Sequence, residues 1–294
     1  MNLFSIARKN NGAIIWSQDQ IDYIIREYNT HHSTTIIANQ FNTSTQAIRT
    51  VLRKNNVEVL SIAELKHLEY PRNSCYFENI DSADKAYWLG FLYADGYISK
   101  NGEIRINLMK EDEQHLYKFL AAIDAINNTI KYSRKLTETK IYEQAYCNLR
   151  DIKMVNDLAD KGCVNNKSLI LKFPYNKLRS DLYSHFIRGY IDGDGSINYT
   201  CFGNAKTPNY RLSIAGTEDM LTAIKNILNK NNLALEDRKT FYCLTICGNK
   251  QLEGIFNYVY QDSYDAIELS RKRQIYNNFL LQRFGGEPVN TGCE

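Results

Sequence analysis

Two copies of one short stretch constrain this chain more than any other feature. AYWLGFLYADGYIS runs from Ala86 to Ser99, and HFIRGYIDGDGSIN runs from His185 to Asn198. Aligned on their glycines, Gly90 matches Gly189, Asp95 matches Asp194 and Gly96 matches Gly195, a separation of 99 positions (194 − 95). Repetition at that period implies two similar α/β units. Each copy reads as an apolar helix that stops at Asp-Gly, with Gly96 and Gly195 expected in the left-handed conformation that follows a helix end. Inside each helix a small residue recurs four positions on: Gly90 with Ala94, and Gly189 with Gly193. An interior helix glycine costs about 1 kcal/mol against alanine. That cost makes sense if the small faces let the two helices approach backbone to backbone. Parallel pairing would then bring Asp95 and Asp194 together at two C-termini, where the helix dipoles already disfavour negative charge. Two such carboxylates repel unless a cation lies between them. Mg²⁺ suits them, because it prefers oxygen ligands and keeps waters for a phosphate-bearing substrate.

Over residues 81–284 the paired stretches resemble the motifs of the LAGLIDADG homing endonucleases, in the single-chain, two-motif form. The resemblance implies an α+β protein of two pseudo-symmetric αββαββα repeats, 81–176 and 177–284, each laying an antiparallel sheet in the DNA major groove. Gly90, Ala94, Gly189 and Gly193 would form the helix interface. Asp95 and Asp194, with Gly96 and Gly195 beside them, would hold divalent metal at the scissile phosphates. The basic residue near the active site is matched by Lys167 in the first repeat and by Lys272 in the second. Implied too is hydrolysis of both strands of double-stranded DNA across the minor groove, leaving short 3′ overhangs. Mg²⁺ is the expected ion, Mn²⁺ a substitute, and Ca²⁺ a support for binding without cleavage. A monomer with pseudo-two-fold symmetry follows. The first copy has Tyr93 where the second has Asp192, a position that is not the family's metal ligand; Trp88 and Arg188 depart at packing positions.

At 294 residues the chain should hold more than one domain. Residues 1–60 carry a helical unit. SQDQIDYIIREY opens on a serine cap, TTIIANQF gives a short helix, and NTSTQAIRTVLRKNN a third. This resembles a helix-turn-helix DNA-binding module, whose last helix would set Ser44, Thr45, Gln46 and Arg49 against bases and Arg53 against phosphate. Residues 61–80, with Pro71, Asn73 and Ser74, read as a linker. Within the repeats, EIRINLMK alternates apolar and polar positions as a half-solvated strand does, and NYRLSIAG repeats it. Arg105, Asn107, Lys131, Lys135, Gln144, Arg211 and Ser213 are the expected outward, DNA-facing residues. The halves differ in sequence, so a long, non-palindromic target is expected. The loop containing Gly203 is longer than its counterpart, and the tail 285–294 reads as disordered.

Other classes find little support. A net charge of +3 permits nucleic-acid binding without announcing it. No apolar run approaches the ~18–20 residues of a membrane span, and the N-terminus lacks a signal peptide's apolar core. Seven cysteines without close CxxC pairs suit a reducing, intracellular compartment. Cys243 and Cys247 would project from one face of a strand, with no second ligand pair to make a zinc site. Walker, HNH and zinc-deaminase patterns are missing, and His185 reads as packing, so the chemistry rests on metal rather than histidine. Two alternatives stay open: an RNA-binding intron maturase of the same fold, and a transcription regulator using the fold as a scaffold.

Overall fold

The structure is a computed structural model that describes residues 3–136, 141–200, 208–228, 234–260 and 267–284. The chain divides into two compact units, Met1–Pro71 and Arg72–Glu294.

The first unit is a three-helix bundle: α1 (Gln18–His31), α2 (Thr34–Gln40) and α3 (Thr45–Lys54). Serines start all three. The hydroxyls of Ser17, Ser33 and Ser44 accept from Gln20, Ile36 and Ala47 amides, satisfying donors the helices leave open. Ile24, Tyr28, Ile37, Phe41, Ile48, Val51 and Leu52 close the core. A short hairpin, β1 (Ala7–Arg8) and β2 (Ile14–Ile15), precedes it. Two-residue strands carry no sequence period, so the hairpin was not expected. Helix α4 (Ile62–Glu69) follows, a capping-box helix with no buried side chain among those described.

The linker expected over 61–80 ends early. From Arg72 the chain belongs to the second unit: Asp151 Oδ2 accepts from Arg72 Nε at 2.8 Å and from Ser74 Oγ at 2.6 Å, while Phe77 is fully buried. Pro71 and Asn73 read as linker composition, and the long-range partner Asp151 is invisible to a local reading.

The second unit repeats one plan. First come α5 (Ala83–Asp95), β3 (Gly96–Ile98), β4 (Glu103–Met109), α6 (Glu113–Ala122), β5 (Lys131–Leu136), β6 (Ile141–Arg150) and α7 (Ile152–Asp160). Next come α8 (Tyr183–Asp194), β7 (Gly195–Thr200), β8 (Asn209–Gly216), α9 (Glu218–Ile227), β9 (Ala234–Asp237), β10 (Tyr242–Cys247) and α10 (Asn249–Tyr260), closed by α11 (Ser270–Phe284). The antiparallel sheets have matching orders, β3-β4-β6-β5 and β7-β8-β10-β9. The expected αββαββα repeats are therefore present, with an added last helix in the second. Strand alternation sets the faces: Ile104, Ile106, Ala145, Cys147 and Leu149 point inward in one sheet, and Leu212, Ile214, Leu244 and Ile246 in the other. One continuous apolar core joins both halves, with α5 and α8 at its centre. Among the described residues, no helix is long and apolar enough to cross a membrane. Gly203 and the tail 285–294 lie outside the described residues.

Candidate functional site

Helices α5 and α8 pack at the limit that backbone allows. A Cβ on Gly90 would run into the Phe186 carbonyl, and one on Gly189 into the Tyr87 carbonyl. Phe186 and Tyr87 are themselves equivalent in the repeats, so the contact is its own image under the pseudo-two-fold. One turn on, a Cβ on Gly193 would meet that of Ala94. All four small residues thus serve the close approach expected of them.

Gly96 and Gly195 serve a different purpose from the one expected. Their φ values are −74° and −87°, extended rather than left-handed. Each is the first residue of a strand turning straight off a helix end. A Cβ on Gly96 would lie 2.6 Å from the Leu92 carbonyl oxygen, and one on Gly195 would meet that of Ile191. Crowding against the last turn, not φ, demands glycine here.

This packing delivers Asp95 and Asp194 to one place. Asp194 is half-buried, and its carboxyl is pushed up to about 6, first by burial and then by the charge of Asp95. Asp95 keeps a solvent-open side, yet the protein crowded around it still raises its carboxyl, an effect that Lys272 and Lys167 oppose. Two lysines remote in sequence therefore lie near enough to act on the aspartates through their charge. Lys167 is 7% exposed and Lys272 only 3%. Lys167 Nζ donates to the Gly96 carbonyl. Lys272 Nζ donates to the carbonyls of Ile191 (2.7 Å) and Asp192 (2.6 Å). Burial lowers the Lys272 ammonium, against the pull of Asp192 and Asp95. The Gly96 carbonyl thus faces an ammonium on one of its two lone pairs.

A buried polar network, missed by the sequence reading, lies beside the aspartates. Asp192 Oδ2 accepts from Tyr87 Oη at 2.7 Å and from the Leu269 amide at 2.7 Å, and Oδ1 from Tyr260 Oη at 3.1 Å. Tyr87 Oη also lies 2.9 Å from His115 Nε2, and burial holds that imidazole down at about 3, hence neutral. Arg188, 1% exposed, stacks over Tyr87 and donates to the carbonyls of Val259 (2.9 Å) and Ile267 (3.2 Å). The signal available in the sequence was charge on an otherwise apolar helix: Arg188 and Asp192 both stand on buried turns of α8.

Around this centre each sheet turns a polar face outward. In the first, register aligns Tyr97 with Arg105, Asn107 with Tyr146, Tyr146 with Lys131, and Gln144 with Ser133. Arg105 stacks on Tyr146 at 5.4 Å and pairs with Glu103 at 2.8 Å; Asn107 bonds Gln144 at 3.2 Å. Lys135 lies in β5, and its side chain is outside the described residues. In the second, Ser196 faces Ser213, and Arg211 sits between Asn198 and Cys247, donating to the Cys247 sulfur at 3.3 Å. Cys243 and Cys247 do share that face, two residues either side of Thr245. Among the described residues, no group of three or more His, Cys, Asp or Glu side chains could hold a metal.

In the helical unit, Gln46 and Arg53 are exposed, and Thr45 and Arg49 half-buried. Ser44 is the cap of α3, its oxygen 3.2 Å from the Ala47 amide, so it shapes the helix start.

No protein-family model and no curated protein matches the chain. Solved structures do. The meganuclease I-SmaMI bound to uncleaveable DNA matches over 70% of this chain and 91% of its own, at 12% identity and a TM-score of 0.45. The homing endonuclease I-WcaI bound to its DNA recognition sequence matches over 74% and 97%, at 13% identity and a TM-score of 0.46. The LAGLIDADG homing endonuclease I-LtrWI bound to target DNA matches over 72% and 92%, at 12% identity and a TM-score of 0.45. At the paired aspartates the geometry is this chain's own. That geometry fits a divalent cation: two crowded carboxylates, each raised in pKa, are relieved when positive charge arrives between them.

Proposed function

We propose that the chain is a site-specific DNA endonuclease that hydrolyses phosphodiester bonds with divalent metal held by Asp95 and Asp194. One observation carries the reading: two like charges meet at two helix C-termini, beside two buried lysines, at the junction of two sheets with polar outer faces. A protein with no use for the pair would gain by losing it, since crowded carboxylates at helix ends are destabilising.

The bound cation would supply charge that offsets the phosphate and favours ionisation of an attacking water. The protein's own residues do the rest. Asp95 and Asp194 fix the cation's position, one carboxylate from each half, so that each half serves one DNA strand. Lys167 and Lys272, held by backbone carbonyls, bring positive charge towards the phosphates, where charge builds in the transition state. The sheet faces grip the duplex: Arg105, Lys131 and Arg211 suit phosphates and guanine edges, and Asn107 and Gln144 suit adenine. Because the two faces differ residue by residue, the target is long and non-palindromic. Gln46, Arg49 and Arg53 on the helical unit extend it. Mg²⁺ is the working ion, Mn²⁺ replaces it, Ca²⁺ supports binding alone, and the products carry short 3′ overhangs. Both halves lie in one chain, so a monomer suffices.

The test uses DNA spanning the locus of the gene, rebuilt without it, incubated with protein in Mg²⁺, Ca²⁺ or EDTA. Discrete cuts in Mg²⁺ alone, absent from an Asp95→Asn, Asp194→Asn double variant, are expected. Tight binding in Ca²⁺ without cutting in Mg²⁺ would refute the nuclease reading at that locus.

A further inference from the structure

We propose that Tyr93 and Asp192, equivalent positions of the two repeats, are positioning residues, each anchoring the segment that carries its own half's lysine. This rests on the endonuclease reading only for why the lysines matter; the anchoring itself does not.

In the first half the anchor is a hydrogen-bond donor. Tyr93 Oη donates to the Lys161 carbonyl, just past the end of α7. The neighbouring Gly162 has φ +95°, and a Cβ on it would lie 2.5 Å from that hydroxyl, so the backbone is pressed against the tyrosine. Cys163 Sγ then bonds the Leu92 carbonyl at 3.6 Å, and Asn165 Nδ2 the Ile98 carbonyl at 2.8 Å. Lys167 follows, its ammonium on Gly96.

In the second half the anchor is an acceptor. Asp192 takes the Leu269 amide at 2.7 Å, immediately before α11. Lys272 comes one turn later, its ammonium on the carbonyls of Ile191 and of Asp192 itself. Other bonds hold this segment: Lys118 Nζ on the Glu268 carbonyl at 3.0 Å, and Arg271 on Asp112 at 3.2 Å. The Arg271 side chain is 56% exposed, and such pairs contribute little. Asp192 is the buried member, and a buried carboxylate is costly unless fully bonded. The substitution of Tyr for Asp between repeats therefore preserves a role while exchanging donor for acceptor. In each half the anchored stretch carries a lysine whose ammonium meets a carbonyl at the end of that half's motif helix.

The test is amine-reactive labelling of the full chain without DNA or metal, mapped by mass spectrometry. Tyr93→Phe should raise labelling of Lys167 about tenfold, the change expected when local opening loses one hydrogen bond, and leave Lys272 protected. Asp192→Leu, which leaves the Leu269 amide without its acceptor, should do the reverse. Tyr260→Phe removes a different bond of the same network and should leave both lysines protected. A rise at both lysines in each variant, or at neither, would overturn the proposal. If Asp192→Leu does not fold, Tyr93→Phe decides alone, since a hydroxyl deletion leaves its ring packing against Phe186 intact. On cleavable DNA, Tyr93→Phe should slow the same strand as Lys167→Ala, and Asp192→Leu the same strand as Lys272→Ala. Absence of cleavage on any DNA would sink the endonuclease reading while leaving the labelling result standing.

Discussion

Replacing Asp194, a proposed metal ligand, should make this protein more stable. In Asp194→Asn the carboxyl that burial and Asp95 push from 3.8 to about 6 is removed. Each pKa unit corresponds to ~1.4 kcal/mol, so at neutral pH the ionised form costs up to about 3 kcal/mol. Half-burial and solvent screening reduce this to about 1–2 kcal/mol. The sign follows from proton counting. Between 3.8 and about 6 the folded state binds more protons at this site than the unfolded state. Wild-type stability therefore falls as pH rises through that window and levels off above it. Asparagine is neutral throughout and escapes the cost. At pH 8 in EDTA the variant should melt about 2–8 °C higher, given about 2–4 °C per kcal/mol for a unit of this size. The gap should shrink towards zero at pH 4, where wild-type Asp194 is also neutral. Mg²⁺ should narrow it at pH 8, because the ion stabilises only the protein that binds it. Thermal unfolding by circular dichroism at both pH values reads this directly. A variant less stable than wild type in EDTA at pH 8, or a difference independent of pH, would refute the reasoning.

Three further outcomes follow from the same geometry. Gly189→Ala should cost about 3 kcal/mol or more in urea unfolding, because its methyl meets the Tyr87 carbonyl and neither backbone can yield; a cost below ~1 kcal/mol would mean the helices are not held at contact. Arg105→Ala should relax sequence preference in one half-site, whereas Lys131→Ala should weaken binding to all sequences and lower the salt slope by about 1; identical behaviour of the two would refute a base contact for Arg105 and a phosphate contact for Lys131. Gln46→Ala should reduce preference for bases flanking the main site without changing the positions of cutting; mapped cleavage sites that move would place α3 elsewhere in the reaction.

The repeat was legible because its constraint is local. Gly90, Ala94, Gly189 and Gly193 sit at helical spacing, and only close packing explains them. Strand alternation placed Arg105 and Asn107 outward for the same reason, as did Arg211 and Ser213. What escaped depended on distance along the chain. The 72–80 segment reads as linker until Asp151 is seen to hold Arg72 and Ser74. Asp192 looked like a variable motif position because its partners Tyr87, Tyr260 and Leu269 lie on three other segments. The glycines after each aspartate were identified correctly as obligatory, but for a conformation they do not adopt. A sequence shows that a side chain must be absent; it does not show whether φ or a neighbouring carbonyl forbids it.

The central claim is that Asp95 and Asp194 each serve one DNA strand through metal. Strand-resolved cleavage of a doubly end-labelled target in Mg²⁺, by Asp95→Asn and Asp194→Asn separately, addresses it most directly. The account predicts that each variant binds the target in Ca²⁺ as wild type does. Each should also lose double-strand cutting, with any residual nick falling on opposite strands in the two variants. Full cleavage by either variant, or nicks confined to the same strand in both, would contradict it.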